Sequence, residues 1–193
     1  MIKKFGGYEP KKSGGGAREI LPAGGYVAKI VDAKVEETQY GDRLIVAFDI
    51  AEGDYREFFK KDFDGNTNED RKWRGVYRLN IPADDGSEQD GWRKRSFNNF
   101  AFAVENSNSG YTFDWDEKKL KGKLFGVLFR NKEWAFNGRS GWTTEACSAT
   151  DAQAIRGGKY KVPKDKALGG GARFETTAAP AVAEDESSDD LPF

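Results

Sequence analysis

Apolar and polar residues alternate along several short stretches of this chain, and each stretch stops at a turn signal. Tyr26-Val27-Ala28-Lys29-Ile30-Val31-Asp32-Ala33 reads as a first strand, entered through Leu21-Pro22-Ala23-Gly24-Gly25. Gly41-Asp42 marks a turn, and Leu44-Ile45-Val46-Ala47-Phe48-Asp49-Ile50 reads as a second strand. Glu52-Gly53-Asp54 is another tight turn, after which residues 55–63 predict a third strand closed by Asp64-Gly65-Asn66. Alternation there puts Tyr55, Glu57, Phe59, Lys61 and Phe63 on one face, and Arg56, Phe58, Lys60 and Asp62 on the other. Residues 66–91 are polar and irregular, with a short element expected at 73–79. The period then changes. Arg93, Phe97, Phe100, Ala101 and Val104 follow Trp92 at helical spacing and predict an amphipathic helix over 92–105. Residues 123–130 predict a fourth strand. Residues 132–136 either extend it or form a hairpin with 142–148.

Three strands, a helix and two strands is the element order of an OB-fold barrel, an order that other small α+β folds share. The expected fold is mainly β: a five-stranded OB-fold-like barrel with one α-helix, flanked by disordered N- and C-terminal tails. Gly25, Gly126 and Gly141 are expected where barrel strands bend or bulge. Residues 1–20, with Gly6-Gly7, Gly14-Gly15-Gly16 and four Lys, read as a flexible basic lead-in to a body at 21–162. Residues 163–183 carry Gly169-Gly170-Gly171 and an Ala/Thr/Pro run and read as a flexible linker, leaving 184–193 as a separate acidic tip.

Net charge is -1, but it is unevenly spread. Glu175, Glu184, Asp185, Glu186, Asp189 and Asp190 are the acids from 175 onward, with no Lys or Arg among them, so 26 acids face 31 basic residues in 1–174. A mildly basic body with an acidic tail suits a polyanion binder. No apolar run is long enough to span a bilayer, and Met1-Ile2-Lys3-Lys4-Phe5-Gly6-Gly7 lacks the apolar stretch of a signal peptide. The lone Cys147 makes no intrachain disulfide, and a cytoplasmic location is expected.

The chain contains no histidine. Ser-His-Asp and Cys-His arrangements and the usual zinc sites are therefore excluded. Neither a phosphate-binding GxxxxGK[ST] loop nor a GxGxxG fingerprint is present. No catalytic residue, metal or cofactor is assigned, and the chain is not expected to be an enzyme. One alternative stays open, a magnesium-dependent nuclease using Asp62, Asp64, Glu69 and Asp70 beside Lys60 and Lys61. Against it, Asp64-Gly65-Asn66 is ordinary turn chemistry.

Aromatic residues interleaved with basic ones supply the positive chemistry. A non-specific single-strand binder needs ring faces for bases and cations for phosphates. Candidates fall in four places. Tyr55, Phe59, Lys60 and Lys61 lie on the predicted third strand, and Arg71, Lys72, Trp73, Arg74 and Tyr77 lie before the helix. Arg130, Lys132 and Trp134 follow the fourth strand, and Arg139 and Trp142 open the fifth. Trp73 and Trp134, flanked by charges, are the surface candidates, whereas Phe48, Phe97, Phe100 and Phe125 follow core periodicity. Arg93, Lys94 and Arg95 open the helix against its macrodipole, a placement that favours an anionic partner.

The chain finishes on Asp189-Asp190-Leu191-Pro192-Phe193, behind Glu184, Asp185 and Glu186. A terminal Phe offers a ring and a free carboxylate that one pocket can grip together. Pro192 stiffens the approach, and the acids steer toward basic surfaces. This ending resembles the acidic C-terminal tip of bacterial and phage single-stranded DNA-binding proteins. The resemblance implies an OB-fold body that holds single-stranded DNA without sequence preference. It also implies a tip at Asp189, Asp190, Leu191, Pro192 and Phe193 that recruits proteins of DNA replication, recombination and repair. Residues 22–163 look more like a phage-encoded version, which would act in the host cytoplasm. That departure means the family's tetramer is not carried over, although a homo-oligomer stays open, and only the tip residues are transferred. A replication or recombination adaptor with no DNA affinity of its own is the other alternative.

Overall fold

A computed structural model describes residues 19–168. The tip residues Asp189, Asp190, Leu191, Pro192 and Phe193 lie outside the described residues, as do most of the predicted lead-in and linker. Five strands form one antiparallel sheet: β1 (Gly24–Thr38), β2 (Gly41–Ile50), β3 (Val76–Asn80), β4 (Leu124–Phe136) and β5 (Arg139–Thr150), in the spatial order β3-β2-β1-β4-β5. Three helices accompany them: α1 (Phe58–Gly65), α2 (Glu88–Ser107) and α3 (Ala152–Arg156), with a short 3-10 turn at Glu117–Leu120. The sheet is open, with β3 and β5 at its edges. The chain is mainly β, as expected, but it carries two more α-helices than the sequence pattern predicts.

One face of the sheet makes the core. Register places Ala28 and Ile30 of β1, Phe48 and Ile50 of β2, and Phe125 and Val127 of β4 on that face, with Tyr77 and Leu79 of β3 continuing it. A bulge between Ile30 and Asp32 turns Val31 outward and returns Ala33 to the core side. The helix α2 closes the core with Phe97, Phe100, Ala103 and Val104. Its N-cap is Ser87, whose side chain accepts from the Asp90 backbone N–H at 3.1 Å. It begins four residues earlier than the apolar spacing indicates, because the capped first turn is polar.

The predicted third strand at 55–63 is a turn followed by α1. The same residues fit a helical period, with Tyr55, Phe59 and Phe63 four apart and Phe58 beside them, so short alternation misled the reading. Asp49 decides the outcome. Its carboxylate accepts from the backbone N–H of Phe59 (2.9 Å) and Lys60 (3.1 Å), the donors a new helix leaves unpaired, and also from Ile50. The cap is therefore supplied from β2, outside the helix's own sequence. Glu57, at the N-cap position, has left-handed backbone and makes no side-chain cap. Phe58 and Phe59 then enter the core, and Lys60 pairs with Asp64 one turn on. The third strand is instead Val76–Asn80, which overlaps the short element expected at 73–79 and runs one residue past it. Asp49→Ala is expected to cost about 2 kcal/mol and to lower helix content, read by the urea midpoint and far-ultraviolet circular dichroism.

Residues 132–136 both extend β4 and form a hairpin with β5, but their partners are 139–143 and not 142–148. Asn137 (φ 47°) and Gly138 (φ 75°) make its two-residue turn, the Asn-Gly geometry whose twist matches antiparallel strands. The expected bends at Gly25 and Gly126 are close approaches instead. A Cβ on either would stand within 2.8 Å of Ile155, which α3 lays across both strands. No helix among the described residues is long and apolar enough to cross a membrane.

Candidate nucleic-acid interface

β1 stops pairing with β4 at Gly24 opposite Phe129, whereas β4 and β5 stay paired to Phe136 opposite Arg139. Residues 130–136 and 139–145 therefore run on as a two-stranded ribbon beyond the end of β1. Alternation sorts its side chains. Arg130, Lys132, Trp134 and Phe136 share one face with Glu145, Thr143, Gly141 and Arg139, and Trp142 lies on the other face opposite Glu133. The edge that β1 leaves is taken by the chain exit. Lys166 donates its N–H to Asn131 O and accepts from Glu133 N, both at 2.8 Å, so residues 163–168 lie along β4 where composition places linker.

Charge on the ribbon is unbalanced by design of the register. Glu145 accepts from Nε (2.9 Å) and Nη2 (2.6 Å) of Arg130, and Nζ of Lys132 and of Lys166 stand 3.2 and 4.0 Å from it. One carboxylate fixes three cations, leaving a net positive face with its side chains pre-positioned. The Trp134 ring packs against Gly141, and its Nε1–H has no partner among the described residues. Phe136, 42% exposed, meets the solvent on the face of the cations, and Trp142, 45% exposed, meets it on the other face of the ribbon. A ring beside a fixed cation suits a base joined to a phosphate.

Burial alone would raise the Glu145 carboxyl, but Arg130 and Lys132 outweigh it and hold the group below the ordinary glutamate value. With the folded value depressed, the cluster's stabilisation is complete at neutral pH and is lost as pH falls below about 4.3 and through the folded value. Protonation there adds one positive charge to the ribbon. Glu145→Gln is accordingly expected to bind polyanions more tightly at neutral pH, with a salt slope steeper by about one, measured by fluorescence anisotropy at several salt concentrations.

A comparison with protein-family models gives no match, and no curated protein matches the chain. The geometry alone therefore sorts the sequence-predicted residues. Arg130, Lys132, Trp134, Arg139 and Trp142 come together on the ribbon. Phe59 (5% exposed) and Tyr77 (6%) are core side chains with no face open to a base. Trp73, read as a surface ring, is half-buried: its Nε1–H donates to Phe48 O at 3.0 Å and its ring meets Phe63. Tyr55 is wedged edge-on between Tyr26 and Phe58. Lys60 pairs with Asp64, Lys61 donates to Arg56 O, Arg71 lies over the Phe63 ring and Arg74 pairs with Asp62. Lys72 is exposed. These residues mainly organise the α1–β3 connection. The three cations of α2 are also engaged: Arg93 with Tyr40 O, Lys94 with Asp84 and Asp90, and Arg95 over the Trp92 ring.

The acids proposed for magnesium are not gathered, and among the described residues no three His, Cys, Asp or Glu side chains form a metal-sized group. Sequence reasoning missed Glu145 and Lys166, which matter only through strand register and the path of the exit. Trp115 gives no ring-and-cation signal in the sequence, since its neighbours Asp114 and Asp116 are acidic.

Proposed function

We propose that this chain is a phage-type single-stranded DNA-binding protein. Its body holds strand without sequence preference, and its tip at 189–193 recruits replication, recombination and repair proteins. The observation that carries the reading is the ribbon, where Arg130, Lys132 and Lys166 surround one carboxylate beside Trp134 and Phe136, with Trp142 exposed on the opposite face. We read the sheet as an opened barrel of the OB type. In support, α2 lies between β3 and β4 in the chain, β1 pairs with both β2 and β4, and the edge strands β3 and β5 come within 8 Å of each other. In such a barrel the β4–β5 connection flanks the strand-binding face.

The test is anisotropy of labelled oligo-dT, with duplex of equal length as control, at two salt concentrations. Tighter binding to single strand that weakens with salt supports the proposal. Flat signals even at low salt would transfer the body to the adaptor reading. Removing 184–193 is expected to leave strand affinity equal or slightly higher and to abolish capture of tip-binding proteins. A strong loss of strand affinity on that truncation would make the tail part of the binding site.

A further inference from the structure

Trp115 is the most exposed of the large apolar side chains described, at 74%. Its backbone sits at φ 66°, in the left-handed region where a bulky residue is strained. The indole lies parallel to the Phe97 ring, with an interplanar angle of 3° and centroids 5.6 Å apart, and Phe113 borders it at 5.7 Å. Phe97 is only 4% exposed, so the stack is rooted in the core. The loop is fixed around the ring. Phe113 N–H donates to Glu105 Oε1 at 2.9 Å, Asp114 pairs with Lys119, and Asp116 caps the 3-10 turn through Lys118 N–H.

Packing uses only one side of this ring. The inner face of the indole rests on Phe97 and Phe113, and the rest of the side chain is open to solvent. Strain that holds a rigid ring with one face on the core and the rest in solvent points to a ligand for the open side. The two acids beside the ring are engaged within the loop, while Lys118 and Lys121 are exposed and Lys123 lies over the Tyr111 ring at 4.2 Å. A planar ligand carrying negative charge fits: one open ring face for a base, and lysines for its phosphates. The loop is seated by Gly122 N–H on Ile30 O and by Ile30 N–H on Lys123 O. Ile30 lies six residues along β1 from Gly24, where the ribbon takes over, a rise of roughly 20 Å.

We propose that Trp115 is a second base-stacking platform, which engages the same single strand at a point remote from the β4–β5 ribbon and lengthens the site. This rests on the strand-binding function proposed above. It is tested with Trp115→Gly and Trp115→Phe in the full chain, using oligo-dT of about 8 and about 30 nucleotides, lengths chosen around the span of a single-domain site. Glycine removes the ring and also relieves the left-handed backbone. The expected result is a melting temperature for Trp115→Gly lowered by a few degrees at most, since relief of the backbone offsets part of the lost Phe97 contact, with binding of the long oligonucleotide about tenfold weaker. Binding of the short one should be nearly unaltered, and Trp115→Phe should fall between wild type and glycine. Wild-type affinity of Trp115→Gly for both lengths overturns the platform while strand binding stands. A changed oligomeric state with strand affinity intact overturns it in favour of self-association. A wild-type protein that binds neither length removes the functional reading itself, a result distinct from both.

Discussion

Replacing Trp134 and Trp142 together by alanine is expected to weaken oligo-dT binding about a hundredfold, since each stacked base contributes about 1–3 kcal/mol. The two rings lie on opposite faces of the ribbon, so each single substitution should cost only part of that loss. Neither belongs to the cluster formed by Phe48, Phe100 and Phe125, and the melting temperature should fall by no more than about 4 °C. Cations should behave differently from rings. Arg130→Ala removes one cation and leaves Glu145 shared by Lys132 and Lys166, so it should both weaken binding and flatten the salt dependence. Anisotropy titrations at several salt concentrations separate the two effects, because ring removal leaves the salt slope nearly unaltered.

The largest effect on stability is expected at Gly75. A Cβ there would stand 2.1 Å from the Phe48 carbonyl oxygen and 2.6 Å from the Phe59 ring. That carbonyl accepts from Trp73 Nε1–H, and Phe48 N–H in turn donates to Gly75 O at 2.7 Å. Backbone cannot give way as the end of a flexible side chain can. Gly75→Ala should therefore part β3 from β2 and lift α1 from the core at once. The expected cost is about 3 kcal/mol, a drop of roughly 6–12 °C in melting temperature for a chain of this size. Calorimetry checks it. A shift under about 2 °C would mean that the β2–β3 junction is far less tightly built than its distances indicate.

Strands whose alternation persists over a long run were legible in the sequence. β2 reads directly from Leu44, Val46, Phe48 and Ile50, and α2 from Phe97, Phe100 and Val104. The stretch at 55–63 was not, because its aromatics satisfy both periods and the deciding cap comes from Asp49. Local pattern cannot report a carboxylate arriving from another strand. The candidate site divides along the same line. Arg130, Lys132, Trp134, Arg139 and Trp142 were found because charge and ring are adjacent in sequence. Phe59, Tyr77 and Trp73 met the same criterion, and the core or its rim claimed them. Glu145 and Lys166 depend on register and on the path of the exit, and Trp115 depends on a backbone angle. None of these is written in residue type.

The most direct test of the central claim is to photo-crosslink oligo-dT to the full chain and identify the modified peptides. Crosslinks at Trp134, Phe136 and Trp142 are predicted, suppressed by excess unlabelled single strand and far less by duplex. Efficient crosslinking that spares residues 130–145 would contradict the assignment of the ribbon as the strand-binding surface.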